Sequence, residues 1–490
     1  MKLPLLACAT LALVTACSDS HLAPGTAANP ASSVATPQRP NILLVLADDL
    51  GYGDPGCYNL DSHVPTPAIN RLAAEGMRLT DMHSPAAVCT PTRYAMLTGR
   101  YAWRSSLKSG VLQGYSPALI EPDRDTLASL LKRAGYHTAC IGKWHLGFGD
   151  VEPVDYSKAL SPGPLDLGFD RFFGIPASLD IPPYLFLEGN RAIAPLNNRI
   201  NKSKMVRNGG AGYWRAGKIA EGFRHKKVLD KVLQESQVFL RNHVATRSEE
   251  PFFLYVPLTA PHTPWLPTKR FRGTSQAGSY GDFVAQVDDV LGQLLITLED
   301  LGVAENTLVI FTSDNGAHWK PSDIQRYGHL ANGPWRGQKA DIYEGGHRVP
   351  FVLRWLGKVP AGSKRSELLV LTDLFATFAQ IAEVTPKPGA GEDSVNALPV
   401  WLNQQIETPP RDSAIHHALS GLFAIRMGNW KYIEGPGSGG FASIHGEKDE
   451  SGGQLYDLAR DPAESKNLWM QHPEIVEQLQ AQLNKVREGL

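Results

Sequence analysis

Three segments of this chain are apolar at every position and a fourth is apolar over its last three, each then turning abruptly polar, and no other feature restricts the fold as strongly. Residues 42–47 (Ile-Leu-Leu-Val-Leu-Ala) end in Asp48-Asp49-Leu50-Gly51. Residues 308–311 (Leu-Val-Ile-Phe) end in Thr312-Ser313-Asp314-Asn315-Gly316. The run from His137 to Ile141 leads into Gly142-Lys143-Trp144-His145, and residues 252–256 run out through Ala260-Pro261-His262-Thr263-Pro264-Trp265. A strand that is apolar at successive rather than alternate positions must be covered on both faces, which is the condition of a central strand in a parallel sheet.

The segments between them carry helix signals. Thr66-Pro67 offers an N-cap and a first-turn proline, Ile69, Leu72 and Ala73 share a face, and Gly76 is a stop. Residues 125–134 end at Gly135, and Phe283, Val287, Val290, Leu291, Leu294, Leu298 and Leu301 keep helical spacing. Strands alternating with helices predict an α/β fold, a large mainly parallel sheet flanked by helices. In such sheets ligands bind beyond the carboxyl ends of the strands, where all four polar clusters lie.

Composition narrows the partners. With 48 Lys+Arg against 49 Asp+Glu the net charge is -1, so no global field favours nucleic acid. Hydrophobic residues make up 42% of the chain, enough for a sizeable core, and five cysteines exclude a disulfide scaffold. Residues 1–16 begin with Lys2 and an apolar stretch too short for a membrane span, which takes about 20 residues, but suited to a secretory signal. Val14-Thr15-Ala16-Cys17 resembles a bacterial lipobox, cleaved before Cys17 and lipidated there; an ordinary signal peptidase site is the alternative. Residues 17–39 have the composition of a flexible tether. The expectation is an exported protein, a periplasmic or outer-membrane lipoprotein of a bacterium, touching the membrane only through its lipid.

Asp48, Asp49, Asp314 and Asn315 together offer hard oxygen ligands, which suit Ca²⁺ or Mg²⁺; zinc would call for His or Cys at defined spacing. Taken singly, each acidic pair also reads as a turn or a cap. The segment from Ala87 to Gly99 (Ala-Val-Cys-Thr-Pro-Thr-Arg-Tyr-Ala-Met-Leu-Thr-Gly) reads as a loop entering a short helix. Cys89 would sit at its N-terminus, where a thiolate would be stabilised, with Arg93 one turn on. A buried cysteine in a capped helix is the bland alternative.

That segment resembles the Cys-x-Pro-x-Arg signature of the sulfatase family through its Leu-Thr-Gly tail. The family's second signature is matched by Gly135-Tyr136-His137-Thr138-Ala139-Cys140-Ile141-Gly142-Lys143-Trp144-His145. Asp48-Asp49, Pro261-His262-Thr263-Pro264, Asp314-Asn315-Gly316 and Gly337-Gln338-Lys339 follow as ordered landmarks from about residue 40 onward. The resemblance implies a type I sulfatase of the alkaline phosphatase superfamily, hydrolysing sulfate monoesters, in which a maturation enzyme converts Cys89 to Cα-formylglycine (3-oxoalanine). It implies Ca²⁺, with Mg²⁺ second, held by Asp48, Asp49, Asp314, Asn315 and modified Cys89. Arg93, Lys143, His262 and Lys339 would bind substrate. A hydroxyl of the hydrated aldehyde would attack sulfur, and the second would let the resulting sulfate ester collapse. His145 would deprotonate these hydroxyls, and His262 would protonate the leaving oxygen, with Lys339 as helper.

The resemblance extends to Leu455-Tyr456-Asp457-Leu458 and Asp461-Pro462, which implies a smaller C-terminal subdomain on a short antiparallel sheet. The expected division is a catalytic domain at 40–405 and this subdomain at 406–490. Its segments 435–440 and 445–453 look like mobile loops bordering the pocket. Cys57 and Cys140 are expected to be free thiols. Trp265, His318, Trp319, Trp335 and Arg336 flank the landmarks and would either stack on sugars or pack the loop bases. Export suggests sulfated polysaccharide or oligosaccharide as substrate. Two other readings compete: a phosphatase or phosphodiesterase of the same superfamily, and a non-catalytic glycan-binding lipoprotein.

Overall fold

The first apolar run forms the strand Asn41–Asp48, all eight residues of which are buried. Its side chains divide by parity: Ile42, Leu44 and Leu46 enter one hydrophobic core, while Leu43, Val45 and Ala47 enter another. The structure is a computed structural model describing residues 39–204, 214–442 and 452–489. The signal and tether readings and Cys17 therefore fall outside the described residues, apart from Arg39.

The same parity rule governs the neighbouring strands. Phe253 and Tyr255 of Phe252–Pro261 join the first core, and Phe252, Leu254 and Val256 the second. In Thr307–Ser313, Leu308 and Ile310 separate likewise from Val309 and Phe311. Each such large side chain, fully buried, contributes roughly 1.5–3 kcal/mol, so the two-sided burial demanded by the sequence is also what holds the centre together.

These strands belong to a ten-stranded sheet. Asn41–Asp48 lies at its centre, parallel to Phe252–Pro261 on one side and to Thr307–Ser313 on the other. His137–Lys143 and Arg171–Ile175 extend the parallel half. Beyond Thr307–Ser313 the strand Phe351–Arg354 runs antiparallel, so the sheet is mixed, with a parallel middle. Gly142 permits one close approach: a Cβ there would lie 1.9 Å from the carbonyl oxygen of Pro257.

Helices Val228–Thr246 and Gly278–Asp300 pack on the second core, and Leu127–Arg133 and Leu374–Ile381 on the first. The helix predicted at 66–76 is Pro67–Glu75, but Thr66 makes no side-chain cap. Its hydroxyl accepts instead from the Gly56 amide, and the Asp288 carboxylate takes the free amides of Ala68 and Ile69. A second sheet of four antiparallel strands, Ser413–His417, Phe423–Met427, Trp430–Ile433 and Gln454–Asp457, packs with the terminal helix Pro473–Glu488. Cys57 and Cys140 are free thiols. Among the described residues no helix is long and apolar enough to cross a membrane.

Candidate active site

All four polar clusters converge at the carboxyl ends of the central strands. Asp48 is the last residue of its strand, and Asp49 turns the chain with a positive φ of 67°, a conformation that aspartate tolerates better than most residues. The Asp49 amide thereby donates to Asp314 Oδ1 at 3.2 Å, and Asn315 Nδ2 donates to Asp49 Oδ1 at 2.8 Å. The two acidic pairs, 265 residues apart in sequence, thus lock to each other.

Each carboxylate has a basic partner. Lys143 Nζ donates to Asp48 Oδ2 at 2.7 Å, Lys339 Nζ to Asp49 Oδ2 at 2.8 Å, and Arg93 to Asp314 Oδ2 through Nε (3.0 Å) and Nη2 (2.8 Å). Burial works against the Asp48 charge, but Lys143, His262, Arg93 and Lys339 outweigh it and hold this carboxyl far below its ordinary range. Burial and the Asp48 charge push its neighbour Asp314 up, so the pair resists double ionisation. Lys339 is buried too, yet Asp49 holds it firmly protonated.

Three carboxylates facing three basic side chains leave the cluster balanced, and a divalent cation would leave it with an excess of two positive charges for an anionic ligand. The donors suit such an ion. Asp48 Oδ1 and Asn315 Oδ1 are buried without a hydrogen-bond partner, and Asp48, Cys89 and Asp314 each place a donor atom within 4.8 Å of the others. Hard oxygens with lone pairs left over match calcium or magnesium better than a softer metal.

Cys89 opens the helix Cys89–Thr98, which Gly99 ends in the left-handed conformation. One expectation fails here. Burial, reinforced by Asp48 and Asp314, pushes the thiol above its ordinary pKa despite Lys143 and Lys339, so the helix N-terminus does not make Cys89 a ready thiolate. Cys89 is also buried, at 2% exposure, as the alternative of a buried cysteine in a capped helix has it.

The histidines differ in tautomer. His145 Nε2 donates to the carbonyl of Leu112 at 2.9 Å, which leaves the lone pair on Nδ1, and that atom has no partner. Burial first, then Lys143, keeps this ring neutral. His262 Nδ1 donates to the Thr263 carbonyl at 2.6 Å, and Nε2 lies 3.7 Å from Asp49 Oδ2.

Cys89, His145, His262 and Lys339 open into one cavity of about 180 Å³. Of the five flanking residues named from sequence, His318 alone is among its lining residues, with its ring 5.0 Å from Phe441. Trp265 and Trp319 pack with Tyr280 at the loop base, Trp335 lies under Arg348, and Arg336 reaches the Glu464 carbonyl. The cavity also includes Ser178, Asp180, Arg215 and Phe441, which sequence reasoning missed. Asp180 lies in an Ala-Ser-Leu-Asp-Ile-Pro-Pro stretch whose prolines signal a rigid loop and nothing more.

Comparison with known proteins gives one consistent picture. Residues 40–384 match the sulfatase family, and residues 338–489 match the N-sulphoglucosamine sulphohydrolase C-terminal family. The chain is 34% identical to an N-acetylgalactosamine-6-O-sulfatase of Bacteroides thetaiotaomicron, over 92% of this chain and 93% of that protein. It is 35% identical to human N-acetylgalactosamine-6-sulfatase, over 81% and 71% respectively. A Bacteroides thetaiotaomicron structure from work on the metabolism of multiple glycosaminoglycans superposes with a TM-score of 0.81 at 32% identity, covering 92% of this chain and 100% of that one.

Proposed function

We infer that this chain, which belongs to the sulfatase family, hydrolyses the sulfate monoester of a sulfated carbohydrate once Cys89 has been converted to Cα-formylglycine by a maturation enzyme. The observation that carries the reading is Cys89 at a helix start on the cavity, beside three carboxylates balanced by three basic side chains, with Asp48 Oδ1 and Asn315 Oδ1 as hard oxygens without hydrogen-bond partners. The carbohydrate is favoured by the relatives named for N-acetylgalactosamine sulfatase activity and by a similar structure solved with a neocarrahexaose. We propose a catalytic domain at 40–405 and a C-terminal subdomain at 406–490, preceded by a lipoprotein signal at 1–16 and a tether at 17–39.

Asp48, Asp49, Asp314, Asn315 and modified Cys89 would hold a calcium ion. When bound, it supplies positive charge that acidifies the nucleophile and offsets the charge of the ester. The aldehyde hydrate supplies an attacking oxygen and, through its second hydroxyl, a route for releasing sulfate that the thiol lacks. His145 accepts a proton at Nδ1, the atom left free by its bond to Leu112. Arg93, Lys143 and Lys339 place positive charge around the sulfate oxygens. His262, with both ring nitrogens protonated, delivers the Nε2 proton to the leaving oxygen; Lys339, held firmly protonated by Asp49, is the poorer donor.

The experiment is mass spectrometry of the Cys89 peptide from protein co-produced with a maturation enzyme, paired with sulfate release from sulfated sugars. Aldehyde at Cys89 and released sulfate are expected together, and Cys89→Ala should reduce turnover by about ten-thousand-fold or more. Unmodified Cys89 in protein that turns over at full rate would sink the reading.

A further inference from the structure

The cavity has one wall that the catalytic roles leave unused. Ser178 and Asp180 lie on the same loop, at 2% and 6% exposure, and both are cavity residues. Ser178 Oγ and Asp180 Oδ1 are buried with no hydrogen-bond partner. Asp180 is not engaged in orienting His262: its Oδ1 lies 3.9 Å from Nδ1, an atom already committed to the Thr263 carbonyl. Its Oδ2 lies 3.5 Å from Arg215 Nη2, whose side chain is 44% exposed and also reaches Gln113 through Nη1.

The backbone holds this arrangement in place. The Arg215 amide donates to the Asp180 carbonyl at 3.1 Å, and the Tyr184 hydroxyl lies 3.1 Å from that carbonyl and 2.8 Å from the Arg215 carbonyl. A buried carboxylate oxygen and a buried hydroxyl, both unpaired on a cavity wall, are a vacancy for hydrogen-bond donors. A single carboxylate beside a guanidinium is a poor cation site, and a carboxylate repels anions. A neutral hydroxyl meets both conditions.

We propose that Asp180, aided by Ser178, is a specificity-determining residue that accepts a hydrogen bond from a free hydroxyl of the sugar ring carrying the sulfate ester, and so rejects rings bearing a second sulfate or a carboxylate at that position. This deepens the carbohydrate reading above and rests on it. It also places the reaction after whichever sulfatase removes that second sulfate.

The test compares kcat/KM for wild type, Asp180→Ala and Asp180→Asn. The substrates are 4-nitrophenyl sulfate, a panel of 4- and 6-sulfated galactose and N-acetylgalactosamine, and the 4,6-disulfated sugars. On the best monosulfated sugar Asp180→Ala should lose about 10- to 100-fold, and on the aryl ester less than about 3-fold, because the aryl ring has no hydroxyl to lose. Asp180→Asn should raise the disulfated-to-monosulfated ratio about tenfold, since it removes the repelling charge. Equal losses on aryl and sugar substrates, or an unchanged disulfated ratio, would overturn the proposal while leaving the carbohydrate reading intact. Wild type that cleaves the aryl ester and none of the sugars would overturn both.

Discussion

Two buried clusters in this chain are made from the same parts and do different things. At the strand ends, Asp48, Asp49 and Asp314 face Lys143, Lys339 and Arg93. Between the large sheet and the small one, Asp81, Glu344 and Glu464 face Arg348, Arg426 and Lys431, with ion-pair distances of 2.6–3.1 Å. Both sets are balanced, and both include neutral histidines: His145 in one, and His83, His347 and His416 in the other. The difference lies in where the spare lone pairs point. In the first, Asp48 Oδ1, Asn315 Oδ1 and His145 Nδ1 are unpaired, Asp48 lies close to Cys89, and Cys89 and His145 line one cavity.

In the second cluster the three histidines also bring ring nitrogens within 4.8 Å of one another. Yet the His347 and His416 rings stack at 3.9 Å with 10° between their planes. Parallel rings direct their lone pairs side by side, and a cation between them would lie out of both planes. Lys431 adds a positive charge 3.0 Å from His347 Nε2. The cluster therefore joins Lys431, Arg426 and His416 of the small sheet to residues of the main body. Neither charge balance nor a neighbouring cavity marks an active site, since Asp81 and Arg426 of the second cluster line a cavity of about 450 Å³; unpaired hard oxygens grouped with a cysteine on a cavity do.

The comparison breaks first if the open cluster proves structural. Asp314→Asn keeps an acceptor for Arg93 and relieves repulsion from Asp48, so stability should change by no more than about 1 kcal/mol. Activity should fall about ten-thousand-fold, with loss of bound calcium by elemental analysis. A variant that keeps its ion and most of its rate would make this cluster no different from the other.

Lys431→Met asks the converse of the closed cluster. It strands Glu344 and Glu464 in the interior, and removing one partner of a buried pair typically costs about 3–5 kcal/mol. Denaturant titration should show that loss, while kcat of the remaining folded protein stays near wild type. A fall in kcat with unchanged stability would give this cluster a catalytic role.

His262→Ala sharpens the distinction within the open cluster. A proton donor matters for a basic sugar oxygen and little for a nitrophenolate, so kcat/KM should drop about 100-fold on a sulfated sugar and only a few-fold on an aryl sulfate. Equal losses would pass the donor role to Lys339.

These two clusters were unequally legible in the sequence. The open one could be read because its residues follow strands whose burial on both faces is written as unbroken apolar runs, and because strand ends in parallel sheets converge. Asp48 and Asp314 had to meet once their strands paired. The closed cluster draws Asp81, His83, Glu344, His347, His416 and Lys431 from short elements and turns, where no periodicity ties one residue to another. Ser178 and Asp180 were silent for the same reason. The raised pKa of the Cys89 thiol is not legible in the sequence, because a helix N-terminus is visible there whereas the burial that outweighs it is not.

The smallest effect expected is a slope, and it belongs to the closed cluster. Burial first, then the neighbouring His83 ring and the charge of Lys431, holds His416 well below its ordinary pKa, and its Nδ1 lies 3.0 Å from the Ser84 carbonyl. The folded state therefore keeps this ring neutral while the unfolded chain takes up a proton below about pH 6.5. Unfolding then binds a proton, so the stabilisation is present above pH 6.5 and declines as the pH falls. His83 and His347 are depressed as well and act in the same direction. In His416→Phe, which retains a flat ring against His347, one of these protons is gone. The dependence of unfolding free energy on pH between 6 and 5 should become shallower by about 1 kcal/mol per pH unit, close to the limit of about 1.4 for one proton. An unaltered slope would mean that the ring is already charged in the folded protein, and the second cluster would then carry a surplus of positive charge that the first does not.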